Sequence, residues 1–149
     1  MPEIFFYKVR NSSSELFLIS LIEKSISKNW NAVILMDNIE RMEELNDLLW
    51  TYDSTSFIPH GGQSDMTPER QKVYLTCAEE NPNKSEIIFS IDGVIINKPE
   101  NWKRCVYIFN KQNLKVTEDL ESYNREIQKL DYKQKYFEQD KNGKWINKD

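Results

Sequence analysis

The residue types that carry most enzyme chemistry are scarce in this chain. Its 149 residues include one histidine, His60, and two cysteines, Cys77 and Cys105. His60 is the only candidate general base of its type, and a cysteine–histidine pair would need one of the thiols within hydrogen-bond reach. Neither cysteine follows a glycine-rich turn. The other interpretations are a structural histidine that bonds loop backbone and a histidine in a binding surface.

Metal and phosphate sites also find little support in the sequence. One histidine excludes a two-histidine zinc motif, and the acids Asp37, Glu79 and Glu80 follow no calcium-loop pattern, so we expect them to be solvated or to cap helices. The glycines fit neither a G-x-G-x-x-G fingerprint nor a Walker A loop, because there are only four: Gly61, Gly62, Gly93 and Gly143. The residues alone therefore predict no metal site and no phosphate-binding loop, and they leave a catalytic His60 as an alternative.

A basic pattern near the C-terminus is a better candidate for function. Arg125, Lys129 and Lys133 are four residues apart, which on a helix makes one stripe. An apolar stripe beside it contains Tyr123, Ile127 and Leu130. Such a surface suits an acidic peptide with a hydrophobic end. The alternative is a helix-stabilising ion-pair face, because Glu121 lies four residues before Arg125.

Three aromatic residues form a second candidate. Trp50, Tyr52 and Phe57 lie in or beside a segment rich in turn-forming residues, 51–70. Tryptophan and tyrosine at such places are frequent interface anchors. They are equally often lids on a small core, and both interpretations stay open.

The scaffold that must position these residues is predicted to be α/β. Strands are expected at 4–9, 32–36, 73–76, 87–91 and 106–109. Helices are expected from Ser12 to about Asn29, from Asp37 to Trp50, and after Asn113 through Leu130, with Ser12 and Asp37 as N-caps. The continuous apolarity of 32–36 favours a parallel sheet covered on both faces. We expect a single domain, 1–149, with a polar tail from about residue 140.

Charge and composition narrow the function further. The net charge of −4 argues against direct binding to a nucleic-acid backbone as the main activity. Two isolated cysteines and no signal-peptide pattern predict reduced thiols in the cytoplasm. No apolar run approaches the length of a membrane span, so we expect no membrane contact.

Several stretches together resemble one protein family, the chi subunit of bacterial DNA polymerase III. The most specific are the run 48–52, Leu-Leu-Trp-Thr-Tyr, and the run 56–61, Ser-Phe-Ile-Pro-His-Gly. Further similar stretches cover nearly the whole chain in register: 5–7, 73–76, 80–83, 91–93, 136–139 and 142–145.

The resemblance implies a fold and a function. The fold would be Rossmann-like and three-layered, with a mostly parallel central sheet and no nucleotide-binding loop. The resemblance also implies no metal, no cofactor and no catalytic residue. Chi proteins are non-catalytic replication adaptors that bind the acidic, Pro-Phe-terminated tail of single-stranded-DNA-binding protein and join the clamp loader through a psi subunit. The partners implied here are that tail and a psi-like subunit if one is present, with DNA contacted only indirectly.

The resemblance also implies site residues. Phe57 would contribute to the tail pocket, and Trp50 would face psi. The family's Arg-x-x-aromatic-Lys pattern fits in two registers. One places the aromatic residue at Tyr123, the lysine at 124 or 125 and the arginine at 120 or 121; the other uses Lys129, Tyr132 and Lys133. Both place the cations on the stripe of Arg125, Lys129 and Lys133.

Two other functional classes remain as alternatives. One is a small α/β hydrolase or transferase that uses His60. The other is a nucleotide-binding regulatory domain, which would bind its ligand at the carboxyl ends of the strands.

Overall fold

The computed structural model describes residues 2–10, 13–51, 60–62 and 72–148, without the side chains of 50, 51 and 60–62. Three helices are described: α1 (Ser14–Ser27), α2 (Ile39–Thr51) and α3 (Leu114–Ile127). The strands are β1 (Glu3–Val9), β2 (Ala32–Leu35), β3 (His60–Gly62), β4 (Val73–Thr76), β5 (Ile87–Ser90), β6 (Arg104–Asn110), β7 (Lys133–Gln139) and β8 (Trp145–Asn147). A 3-10 turn, Pro99–Asn101, precedes β6.

The described strands form one sheet in the order β3-β4-β2-β5-β6-β1-β7-β8. Every neighbouring pair is parallel except β7 with β8. The chain moves in one direction across the sheet through α1 and α2, and in the other direction through α3. Because parallel crossovers are right-handed, this reversal places α3 on the opposite face from α1 and α2. The predicted three-layer α/β fold with a mostly parallel sheet is confirmed.

The two faces of the sheet bury separate apolar clusters. The α1/α2 face contains Leu18 and Ile22 of α1 with Phe5 of β1. The α3 face contains Leu120 of α3 with Phe6 of β1. Neighbouring residues of β1 thus enter opposite clusters, as the two-residue period of a strand requires. The same alternation assigns each side chain of β7 to one face.

The helix N-caps differ from the predicted ones by one residue. In α1 the cap is Ser13, whose Oγ accepts a hydrogen bond from the amide of Leu16 at 3.3 Å. In α2 the cap is Asn38 and not Asp37, because the side-chain oxygen of Asn38 accepts a hydrogen bond from the amide of Arg41 at 2.9 Å. A short polar side chain on either position satisfies the same free amides, and sequence spacing alone does not choose between neighbours.

The C-terminal third departs most from the predicted elements. Helix α3 ends at Ile127, three residues before the predicted end at Leu130. A strand, β7, then begins at Lys133. The segment expected to be a polar tail includes β8, whose Trp145 packs on Phe17 at a centroid distance of 4.8 Å. A short strand, β3, also lies within the segment expected to consist of turns. Within the described ranges, no helix is both long enough and apolar enough to span a bilayer.

Candidate functional site

The cleft at the carboxyl ends of β2, β5 and β6 is where doubly wound folds bind nucleotides. Here it has a volume of about 450 Å³ and contains Arg41. The Arg41 guanidinium donates to Glu15 at 2.7 Å, to Glu44 at 2.8 Å and to Asp92 at 3.1 Å. Asp92 also accepts a bond from the amide of Asp37. The single cation of this group is therefore shared by three carboxylates, and phosphate would meet net negative charge.

One carboxylate of this cleft, that of Glu15, has a lowered pKa. Burial by itself would raise the pKa of Glu15, but hydrogen bonds from Arg41, from its own backbone and from Ser13 outweigh burial and hold that pKa below its ordinary value of 4.5. Burial would also lower the pKa of Arg41, and its carboxylate partners raise it instead. In the described part of the chain, no three His, Cys, Asp or Glu side chains form a group that could hold a metal ion.

The predicted basic stripe is not on one helix, so that part of the prediction is wrong. Arg125 lies in the last turn of α3, Lys129 follows the helix in a turn, and Lys133 is the first residue of β7. Gln134 fixes this change of direction by donating to the side chain of Asn124 at 2.8 Å and to its backbone carbonyl at 3.2 Å. These bonds tie the start of β7 to the end of α3.

Lys133 lies on the other face of the sheet from α3. Its ammonium is 3.6 Å from Glu3, which also accepts a hydrogen bond from Arg104 at 2.9 Å. Arg104 in turn lies over the ring of Phe5, in the apolar cluster of the α1/α2 face. Gln134, the next residue along β7, points toward α3. Strand alternation therefore separates Lys133 from Arg125 and Lys129.

The ion-pair alternative for the stripe depended on Glu121. Its carboxylate lies 3.1 Å from the ammonium of Lys8 and accepts a bond from the hydroxyl of Tyr136 at 3.2 Å. Arg125 and Lys129 form no ion pair with any residue that the structure describes, and both are exposed. Their charges are available to a ligand.

Tyr123 and Tyr132 are half-buried in the cluster of the α3 face. The ring of Tyr123 packs edge-on against Tyr107 at 5.6 Å, and burial raises the pKa of Tyr123 despite its hydrogen bond with Tyr107. Leu130, between Lys129 and Tyr132 in sequence, is 57% exposed. The end of α3 therefore combines two free cations, an exposed apolar side chain and two tyrosine rings.

The two registers of the family's basic pattern now have different structural settings. The register around Tyr123 lies within α3, but Leu120, one of its two arginine positions, is fully buried in the core. The other arginine position, Glu121, binds Lys8. The register of Lys129, Tyr132 and Lys133 lies after the helix. Neither register places an arginine on α3 at the position that the pattern requires.

The remaining candidates from the sequence are less fully placed. The backbone of Trp50 lies near the end of α2, in the layer opposite α3. His60 begins the edge strand β3, and its side chain is outside the described part. Phe57 and Tyr52 lie outside the described residues. Cys77 is exposed, Cys105 is buried, and both are free.

A second basic site, which no pattern in the sequence predicted, lies between α1 and the sheet. A cavity of about 160 Å³ has an apolar floor that includes Ile87, Phe89 and Val106, and its mouth is lined by Lys24, Lys28 and Arg104. Walls are supplied by Phe5, Tyr7, Leu21, Ser25 and Trp30. The available signals were the four-residue spacing of Lys24 and Lys28 and the nearby tryptophan, but the strand residues come from distant parts of the chain.

These observations define a class of protein: a Rossmann-like three-layer α/β domain with an acidic carboxyl-end cleft and free cations beside aromatic rings at the amino ends of its strands. The sequence matches the family described as DNA polymerase III chi subunit, HolC, over residues 1–134. The chain therefore belongs to the DNA polymerase III chi subunit family, and the resemblance found from the sequence is confirmed.

A curated relative agrees with this assignment. The protein named "Probable DNA polymerase III subunit chi" of Rickettsia prowazekii (strain Madrid E) is 35% identical over 127 residues, which cover 83% of this chain and 76% of the relative. Family membership makes this chain a DNA replication protein associated with DNA polymerase III.

Proposed function

We propose that this chain is a non-catalytic adaptor that links the clamp loader to single-stranded-DNA-binding protein by binding the acidic C-terminal tail of that protein. The observation that carries the proposal is the surface at the end of α3. There Arg125 and Lys129 are exposed and form no ion pair with a described residue, beside the exposed Leu130. Membership in the chi family supports the same conclusion.

The chemistry of this surface complements such a tail. Ammonium and guanidinium groups attract the carboxylates of the tail, while Leu130 and the half-buried rings of Tyr123 and Tyr132 offer apolar contact to its terminal phenylalanine. Because the cations are exposed, their attraction is screened by salt, and it increases the rate of encounter more than the final affinity.

The layered fold leaves room for a second partner. Trp50 is on α2 and the proposed tail surface is on α3, so the two lie in opposite layers of the sheet. A psi-like clamp-loader subunit that contacts Trp50 would not compete with the tail. We propose that this separation lets one chain hold both partners at once.

Contact with DNA is proposed to be indirect. The chain carries a net charge of −4, and the carboxyl-end cleft adds Glu15, Asp37 and Asp92 in one place. Binding to a phosphate backbone needs a basic track, and its salt dependence grows with the number of phosphates contacted. Binding through the protein that coats the single strand avoids this repulsion.

A peptide titration tests the proposal. The probe is a fluorescent peptide with several acidic residues that ends in Pro-Phe, titrated with the full chain at low and moderate salt. We expect saturable binding that weakens with salt, and a further loss of about two- to fivefold in Arg125→Ala and in Lys129→Ala. The matched control is Lys115→Ala, because Lys115 is an exposed lysine at the opposite end of α3.

Two aromatic variants separate the two partners. The family resemblance places Phe57 in the tail pocket, so Phe57→Ala is expected to weaken binding of the peptide. Trp50→Ala is expected to leave peptide binding unchanged and to weaken binding of a psi-like subunit in a pull-down with purified proteins. No peptide binding at low salt, or equal losses in Lys115→Ala and Lys129→Ala, contradicts the proposed function.

A further inference from the structure

The cavity between α1 and the amino ends of the central strands has features that the proposed adaptor function does not use. Its floor is apolar, since Ile87, Phe89 and Val106 are all buried members of one core cluster. The hydroxyl of Ser25 in its wall already donates to the carbonyl of Leu21 at 2.9 Å. A cavity of about 160 Å³ with such a lining has room for one benzene-sized group.

Cations surround the mouth of this cavity. Lys24 is exposed in the last turn of α1 and Lys28 is exposed at its C-cap, and neither pairs with a carboxylate among the residues that the structure describes. Lys135 lies 5.9 Å from the centroid of Phe5, and Lys28 lies 5.4 Å from that of Trp30. The positive charges are therefore spread around an aromatic rim.

Arg104 already has its partners, which restricts what the site can recognise. Its guanidinium lies 4.6 Å from the centroid of Phe5 and 5.2 Å from that of Trp30, and two of its nitrogens contact the same oxygen of Glu3, at 2.9 and 2.8 Å. This edge of the guanidinium is therefore not available for a bidentate interaction with a terminal carboxylate. The remaining cations are flexible lysine ammonium groups, which act as point charges and suit separate side-chain carboxylates.

We propose that this cavity is a second peptide-binding site, which takes an internal acidic segment of a partner protein and buries one aromatic side chain of that segment. Carboxylates on either side of the aromatic residue would meet Lys24, Lys28 and Lys135. The cavity encloses a single group and is not an extended track, and the chain as a whole is acidic, so a peptide is favoured over single-stranded nucleic acid. The site lies on the opposite face of the sheet from Arg125 and Lys129 and does not depend on the tail proposal.

The test uses the full ¹⁵N-labelled chain and a five-residue peptide, Asp-Asp-Phe-Asp-Asp, acetylated and amidated so that it has no free terminus. We expect NMR shift changes at the Trp30 indole and along α1. Affinity should fall about three- to tenfold in Lys24→Glu and in Lys28→Glu, and it should be lost when serine replaces the phenylalanine of the peptide.

Matched variants assign the binding to one face. Lys129→Glu makes the same charge change on the other face and should leave the affinity unaltered. Glu3→Gln removes the acid beside Arg104 and should tighten binding about two- to threefold. The proposal is overturned if the peptide does not saturate the chain, if Lys129→Glu is the variant that weakens it, or if oligo-dT displaces it at equal concentration. If the chain binds this peptide but does not bind the Pro-Phe-terminated peptide, only the tail proposal is overturned.

Discussion

The ammonium of Lys133 lies 3.6 Å from the carboxylate of Glu3, on the face of the sheet that packs against α1. Lys133 and Glu3 are also register partners in the parallel pair β1 and β7. This pair separates Lys133 from Arg125, eight residues earlier in the chain, which lies on α3 at the opposite face. Arg125 and Lys133 therefore lie on two different surfaces of the protein.

The first prediction follows from this separation. Lys133→Ala should change the affinity for the Pro-Phe-terminated peptide less than Lys129→Ala does, because only Lys129 lies beside Leu130 in the turn after α3. Fluorescence anisotropy at low salt measures both. A larger loss in Lys133→Ala would favour a tail site that reaches the α1 face.

The second prediction concerns Arg41. Arg41→Gln leaves Glu15, Glu44 and Asp92 without their shared cation and should lower the free energy of unfolding by about 1–2 kcal/mol at pH 7. Urea denaturation measures this. Lys115→Gln is the control, since Lys115 makes one exposed pair with Asp119 and should lose less than about 0.5 kcal/mol.

The same cluster predicts a pH dependence. Because the pKa of Glu15 is below its ordinary 4.5 in the folded chain, its ionised form adds stability that is fully present above pH 4.5. This contribution is lost as the pH falls through the lowered value. Arg41→Gln should therefore show a shallower decline in stability between pH 5 and pH 3 than the parent chain. Parallel acid limbs in the two proteins would show that Arg41 does not set this pKa.

Two glycines with positive φ give a matched pair for stability. Gly93 has φ of +81°, and a Cβ there would lie 2.9 Å from a methyl carbon of Val116 in α3. Gly143 has φ of +82°, but its nearest neighbour would be a nitrogen of Gln139 at 3.9 Å. Gly143→Ala should cost about 1 kcal/mol from the backbone alone, and Gly93→Ala about 2–3 kcal/mol because α3 must also shift. Equal melting temperatures for the two variants would contradict the close contact with α3.

The cysteines differ in accessibility. Burial raises the pKa of Cys105 to about 12. The Cys77 side chain is exposed, but partial desolvation of its thiol and the charges of Asp37 and Asp92 also raise its pKa. A thiol reagent at pH 8 should label one cysteine per native chain, slowly, and two after denaturation. Cys77→Ser should abolish the native labelling. Native reaction of Cys105 would show that β6 opens readily.

Local patterns in the sequence determined most of the central fold. The continuous apolar run at 32–36 predicted a strand buried on both faces, and β2 is such a strand. The helical period from Ile39 to Trp50 predicted α2 to within one residue. Both signals are local, since each depends on how one short segment divides its side chains between core and solvent. The family was also determined by the sequence, because its motifs are contiguous.

Only the tertiary structure decided where the basic residues face. Residues 123–130 keep an apolar period of three to four, and no glycine or proline lies between Ile127 and Lys133, so nothing local ends the helix. The chain leaves α3 because the following residues pair with β1 and because Gln134 bonds Asn124. Once the segment is a strand, its period is two. Lys135 then joins Arg104 and Lys28 around Phe5 and Trp30, and Lys133 lies beside Glu3, the partner of Arg104. That grouping brings together four distant parts of the chain, which no spacing within one segment could reveal.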